Sequence, residues 1–431
     1  MLKPPHSEIT QTQANGHSNG LPIATVQSLI QQHLLPLQEN ETVALTDALN
    51  RILAIDIISP IHVPAYDNAA MDGYALRSAD LSNQTNTKFQ VVGLAVAGKK
   101  FVGEVKENQC IRIMTGAQMP DECNTVIPQE LVTLQKIEEQ EYIAFTSHHI
   151  QAGDNRRLKG EDLANDKLAL LAGKLLSPAD LGLIASLGIA EVSVKRKLRV
   201  AFFSTGDELR SLGEALPEGC VYDSNRYTIQ GMLQKMGVTP IDMGVVKDDP
   251  ISLEATLREA CKLADVIITS GGVSGGDADY TRALMHKLGD VLFWKIAMRP
   301  GRPMAFGNIT SAEDSAILFG LPGNPVAVMV AFYFFVRPAL YQLSGRSKTE
   351  IQPMQVTSAQ AIRKKPGRTE YQRGILFTNE QGQQQVRITG SQGSGILSSM
   401  SEANCMVILQ HEQGDIAAGA SVEIIPFEGL L

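Results

Sequence analysis

The stretch DVIITSGGVSGGDADYTR, residues 265–282, runs from an apolar strand into four glycines within six residues and then two carboxylates, Asp277 and Asp279. Glycines at a strand end, Gly271 and Gly272 first among them with Ser274 beside them, let backbone N–H groups approach an anion. A following helix presents its positive N-terminus there. Acid at such a place calls for a cation. Carboxylates repel a phosphate unless a divalent ion lies between, and Mg²⁺ takes Asp or Glu oxygens together with substrate phosphates and water. No G-K-[ST] closes the loop, so it is not a Walker loop. The same residues also fit a flexible turn with acids decorating a helix start.

Two other loops share this chemistry. FFSTGDEL carries Asp207 and Glu208; its Thr205-x-x-Glu208 spacing is also that of a capping box. In GLPGNPVAV, Asn324 can cap, Pro325 fits the first helical position, and the glycines around Pro322 keep the turn free of side chains. That makes an anion floor or an ordinary helix start. Asp248 follows a strand in an Asp-Asp-Pro turn. Lys295 and Arg299, four apart in FWKIAMRPGRP, sit where strand alternation can direct both to one face. Two acid-bearing loops and three glycine-rich ones at one sheet edge imply a metal that in turn holds an anion. Weaker signals are Asp72 beside a D-G turn, Thr115 at a strand end, and the mixed charges of GDNRRLKGED, including Asp162, which surface ion pairs also explain. No Ser/His/Asp or Cys/His set stands out.

These loops need a scaffold. From Lys197 onward, strands alternate with helical stretches of 10–15 residues, which predicts an α/β domain over 198–345 built on a doubly wound parallel sheet covered on both faces. Ligands of such sheets sit beyond the strands' carboxyl ends. Residues 59–164 are Gly/Pro/Asn-punctuated with short β-prone runs and read as a mostly β module inserted between two helical pieces, 21–58 and 165–197, that form a linking region. Thr46 is a candidate N-cap in the first piece, and Ser177 with Pro178 a helix start in the second. Residues 346–431 read as a small C-terminal β domain, and 1–20 as a disordered leader.

Composition bounds the partners. A net charge of −8 over 431 residues, with no long basic run, argues against nucleic-acid binding. Five scattered cysteines without C-x-x-C spacing argue for a reducing compartment. The apolar run 326–336 is short for a membrane span, and the N-terminus lacks a signal-peptide core. The expectation is a soluble, cytoplasmic protein.

MDGYA, IRIMTGA, GDNRRLKGED, STGDEL, GGVSGGDADY and GLPGNPVA, in this order, resemble the molybdopterin molybdenumtransferase family, the MoeA type, whose eukaryotic counterpart is the E domain of gephyrin-type proteins. Each motif is weak alone; six in order over nearly the whole chain are specific. The resemblance implies a four-domain, elongated homodimer that inserts molybdate into adenylylated molybdopterin, releases AMP and requires Mg²⁺. It implies Glu208 and Asp279 as metal- and phosphate-site acids, with Asp72, Thr115 and Asp162 lining the cleft from the β module. Asp248 matches the acidic turn, and Pro322 and Pro325 shape the loop floor. Lys295, Arg299, Arg373 and Ser394 would face the anionic substrate. Other molybdenum-cofactor biosynthesis proteins are further candidate partners. Arg299 and Arg302 stand where the family often has lysine, and Gly275 where a bulkier residue is common. Two rival readings share the fold: a molybdopterin adenylyltransferase, against which the two β regions and TGDEL count, and a scaffold dimer, which would have no reason to keep the acidic loops as a set.

Overall fold

Changes of hydrophobic period along the chain coincide with changes of architecture in the computed structural model, which describes residues 20–81, 87–146, 150–272, 279–347 and 352–430. The leader read over 1–20 therefore lies, apart from Gly20, outside the described residues.

In the α/β domain the elements are, in chain order, β1 (Arg199–Thr205), α1 (Ser224–Lys235), β2 (Thr239–Val246), α2 (Pro250–Leu263), β3 (Val266–Ser270), α3 (Asp279–Leu288), β4 (Gly289–Lys295), β5 (Pro303–Ser311), β6 (Asp314–Leu321) and a helix from Pro325. The sheet order is β2-β1-β3-β6-β5-β4. The first four strands are parallel, while β5 runs antiparallel to both β6 and β4. The sheet is thus mixed rather than wholly parallel, and β4 returns to the direction of the parallel strands. Both faces are covered, as the period-two pattern requires. Val200, Phe202, Ile268 and Phe319 pack under α1 and the helix from Pro325. Ala201, Phe203, Ile267 and Leu318 pack under α2 and α3. Full burial of each such large side chain contributes roughly 2–3 kcal/mol.

The helix from Pro325 reaches Leu343, 19 residues, beyond the apolar run 326–336; its length and mean hydropathy of 1.5 would suit a bilayer, but 78% of it is buried inside the protein. A π turn over Phe332–Val336 precedes Pro338. Proline has no N–H for the carbonyl four residues back. That carbonyl, of Phe334, instead accepts from Gln27 Nε2 at 3.0 Å.

Gln27 belongs to the helix Ile23–His33, whose Val26 and Ile30 enter the α/β core. This helix is therefore part of that domain's packing and not of the linking region where the sequence put it. The linking core joins Ala48, Leu53 and Ile57 to Leu170, Leu176, Ile184, Val192 and Val194. Ser177 heads its helix Pro178–Ser186 with a reciprocal capping box to Asp180. Around Thr46 there is only a short 3₁₀ turn, Leu45–Asp47, because the following residues enter ribbons paired with the second piece.

Between these pieces lies a six-stranded sheet ordered Thr125–Pro128, Gly73–Leu76, Gln109–Ile113, Thr87–Ala95, Gln140–Phe145 and Thr133–Ile137. The C-terminal sheet closes on itself, since Thr369–Thr378 pairs with both Gln384–Ile388 and Cys405–Leu409. Closure removes the free edges of those strands. A further parallel pairing, Arg299 with Glu370, ties this domain to the α/β domain.

Candidate active site

Three loops leave the carboxyl ends of β1, β3 and β6, which are adjacent strands, so the backbone itself brings them together. Gly271 at the end of β3 has φ +94°, and a Cβ there would lie 2.4 Å from the Thr205 carbonyl oxygen. Only glycine fits without moving backbone. The Gly271 N–H donates to Leu321 O at 3.1 Å, and a Cβ on Gly323 would stand 3.9 Å from Gly271 Cα. Gly272, also at positive φ (68°), continues the loop.

Beneath the loops lies a polar layer that motif reading missed, in the sequence YDSNR. Asp223, 2% exposed, caps α1 by accepting from Arg226 N at 3.2 Å and from Ser204 Oγ at 3.0 Å. Asn225, 7% exposed, donates through Nδ2 to Ser270 Oγ and to Gly323 O, both at 2.7 Å. Asn225 Oδ1, Asp223 Oδ2 and Thr269 Oγ1 are buried without a hydrogen-bond partner. The findable signal was an Asp-Ser-Asn helix start facing the sheet's carboxyl edge.

No helix follows TGDEL, so Thr205 and Glu208 form no capping box; a short strand, Leu209–Arg210, comes next. Glu208 is exposed, and its carboxylate folds back over Gly206, where a Cβ would meet Glu208 Oε2 at 2.6 Å. Asp248 joins the same edge: its Oδ1 accepts from Thr205 Oγ1, and its N–H donates to Asp207 Oδ1, each at 3.4 Å. Asp279 opens α3; its side chain lies outside the described residues, as do Ser274 and Asp277 entirely. Among the described residues no three His, Cys, Asp or Glu side chains are grouped to hold a metal. Mg²⁺ commonly uses one or two carboxylates, with phosphate oxygens and water completing its shell. The exposed Glu208 carboxylate after β1 is an oxygen donor of that kind.

Lys295 ends β4 at the same sheet edge, and Arg299 follows; both are exposed. Arg299 Nη1 also stands 3.9 Å from Glu370 Oε2 of the C-terminal domain. In the third loop Pro322 precedes Gly323, and Pro325 begins the helix. Asn324 makes no side-chain cap bond, however. The Val326 N–H is instead taken at 3.0 Å by the carbonyl of Ser394, whose loop reaches over from the C-terminal domain. This amide is thereby closed to an anion.

Arg373 does not face the cleft. It is 1% exposed and donates to Ser399 Oγ and to the carbonyls of Ser391, Gln392 and Gly393. Burial, with a smaller push from Arg299, lowers its pKa to about 10. Its work is to brace the loop that delivers Ser394, because the closed sheet turns residue 373 inward.

In the β module, Asp72 Oδ1 accepts from Thr115 Oγ1 at 2.6 Å and from Thr115 N at 2.7 Å. These bonds, the hydroxyl first, hold the Asp72 carboxyl below its ordinary pKa. Asp162 is exposed in the loop where its N–H binds Val63 O. Among the described residues no hydrogen bond or ion pair links Asp72, Thr115 or Asp162 to the loops of the α/β sheet.

Comparison with known proteins gives one answer along the chain. Residues 21–188 match the MoeA N-terminal region (domain I and II), 201–342 a probable molybdopterin binding domain, and 355–427 the MoeA C-terminal region (domain IV). A molybdopterin molybdenumtransferase of Haemophilus influenzae is 43% identical, over 94% of this chain and 97% of that protein. One of a Nostoc species is 34% identical over 90% and 89%. The crystal structure of the molybdopterin biosynthesis MoeA protein of Pyrococcus horikoshii superposes with a TM-score of 0.79 at 28% identity, over 94% of this chain and 99% of that one. The chain belongs to the MoeA family of molybdopterin molybdenumtransferases.

Proposed function

We infer that this chain is a molybdopterin molybdenumtransferase that takes adenylylated molybdopterin and molybdate and yields molybdenum cofactor and AMP. The observation that carries the reading is the convergence of Thr205, Gly271 and Gly323 at one sheet edge, with the Glu208 carboxylate exposed beside them. The backbone amides of that edge other than those of Gly271 and Val326 bind and orient the phosphates, while Lys295 and Arg299 attract the anionic substrate and molybdate. Glu208 and Asp279 would hold Mg²⁺, which when bound supplies charge neutralisation at the pyrophosphate. The polar layer of Asp223 and Asn225 keeps the loops in register, so positioning and electrostatics do most of the catalysis.

Asp72, Thr115 and Asp162 complete the cleft if a second copy contributes its β module, which supports a homodimer as the working unit. An Asp279→Ala or Glu208→Gln protein should release AMP from adenylylated molybdopterin about 10²–10³-fold more slowly on adding molybdate, while folding as before. Turnover at the wild-type rate by Asp279→Ala would falsify the assignment.

A further inference from the structure

The opposite edge of the sheet carries a second concavity. A cleft of about 520 Å³ lies where the linking region, the amino end of β1 and the end of the helix reaching Leu343 meet. It is separated from the loop edge by the length of β1, roughly 20 Å. Lys195, Lys197, Lys235 and Arg346 line it, with Glu428 at its rim; Arg337 also borders it but is buried and donates its Nη1 to Leu430 O. Two further arginines there, Arg51 and Arg196, are already matched by Glu41 and by Glu39 with Asp265. Among the described residues no ion pair engages Lys195, Lys197, Lys235 or Arg346. Two helix C-termini, at Met236 and Ser344, open onto the cleft. Together they supply about one negative charge, too little to balance these cations. The cleft therefore carries a local excess of positive charge although the net charge of the chain is −8, and such a field raises the local concentration of anions.

We propose that this cleft is a binding site for a polyphosphate-bearing small molecule of nucleotide size, distinct from the catalytic edge. Its volume falls within the range of small-molecule sites. The Arg346 guanidinium is fixed over the Tyr341 ring, 4.2 Å from its centroid, with Arg337 on the same ring at 5.6 Å. A pre-set planar fork together with lysine ammonium groups is the donor set that phosphate groups recruit. The Lys195 stem lies along Gly345, where a Cβ would meet Lys195 Cε at 3.3 Å, so that ammonium too is held at the cleft. A ligand bound here bridges three parts of the fold, including the linking region from which the β module hangs, and so steadies their arrangement.

The test is calorimetric titration of the full chain with inorganic tripolyphosphate, and separately with ATP, without divalent cations. Binding should weaken about tenfold or more in Lys235→Ala/Arg346→Ala and stay unchanged in Lys262→Ala, an exposed position on α2. Tighter binding of ATP than of tripolyphosphate would identify a nucleotide; equal binding would identify the phosphate chain itself as what is recognised. No binding, or binding kept in the double variant, overturns the proposal. Lysine acetylation of the unaltered protein supplies a second readout. Tripolyphosphate should protect Lys195, Lys197 and Lys235 but not the exposed Lys262, and equal rates with and without it would also overturn the proposal.

Discussion

One amide nitrogen of Asn225 donates to both Ser270 Oγ and Gly323 O at 2.7 Å, tying the end of β3 to the loop after β6 from underneath. Asn225→Ala leaves a buried carbonyl and hydroxyl without that donor, at a cost of about 1–3 kcal/mol. Urea unfolding should show this loss. Turnover should fall further than stability does, because the two loops lose their common tie while Glu208 and Lys295 remain. Wild-type stability and rate together would remove Asn225 from this role.

Gly271→Ala tests the crossing of the loops directly. The added methyl meets the Thr205 carbonyl oxygen at 2.4 Å on a residue whose φ is +94°. Strain of this kind costs of order 1–3 kcal/mol, and backbone must shift to relieve it. The expected outcome is a lower melting temperature together with weakened AMP binding, read by calorimetry. Gly323→Ala, whose Cβ has 3.9 Å to its nearest neighbour, should bind AMP nearly as wild type does.

Local pattern made much of this legible, and non-local pairing hid the rest. The alternation of Val200 and Phe202 with Ala201 and Phe203 announces a strand buried on both faces, and the glycine loops follow from strands of that kind. The strand Pro303–Ser311 went unread because proline, glycine and asparagine punctuate it, and it exists through antiparallel pairing with β4 and β6. The inward turn of Arg373 depends on closure of a sheet whose strands lie far apart in sequence. Asn324 looks like a cap from its neighbours; the donor at Val326 is met by Ser394, nearly seventy positions later, which no local window contains.

Arg373→Met keeps much of the side-chain volume while removing every guanidinium donor to the carbonyls of Ser391, Gln392 and Gly393. Buried carbonyls stripped of a charged donor cost about 2–4 kcal/mol. Thermal unfolding should shift down accordingly. Hydrogen exchange should show the Val326 amide opening faster, because Ser394 is no longer held against it. A stable variant with an unchanged Val326 amide would mean that the loop holds its shape without the guanidinium.

Thr115 controls Asp72 through two bonds, and only one can be deleted by a side-chain change. Thr115→Val removes the hydroxyl, the larger cause of the lowered Asp72 pKa, and leaves the backbone N–H in place. The Asp72 titration midpoint, followed by carboxyl carbon NMR, should therefore rise part of the way toward its ordinary value, and Thr115→Ser should keep it low. The direction follows from which form is favoured. Thr115 stabilises the charged carboxylate, so its contribution is complete above the ordinary carboxylate pKa and fades as pH falls through the lowered one. In acid the wild-type Asp72–Thr115 contact should accordingly outlast that of Thr115→Val. Equal midpoints in both proteins would show that the hydroxyl does not donate to Asp72 in solution.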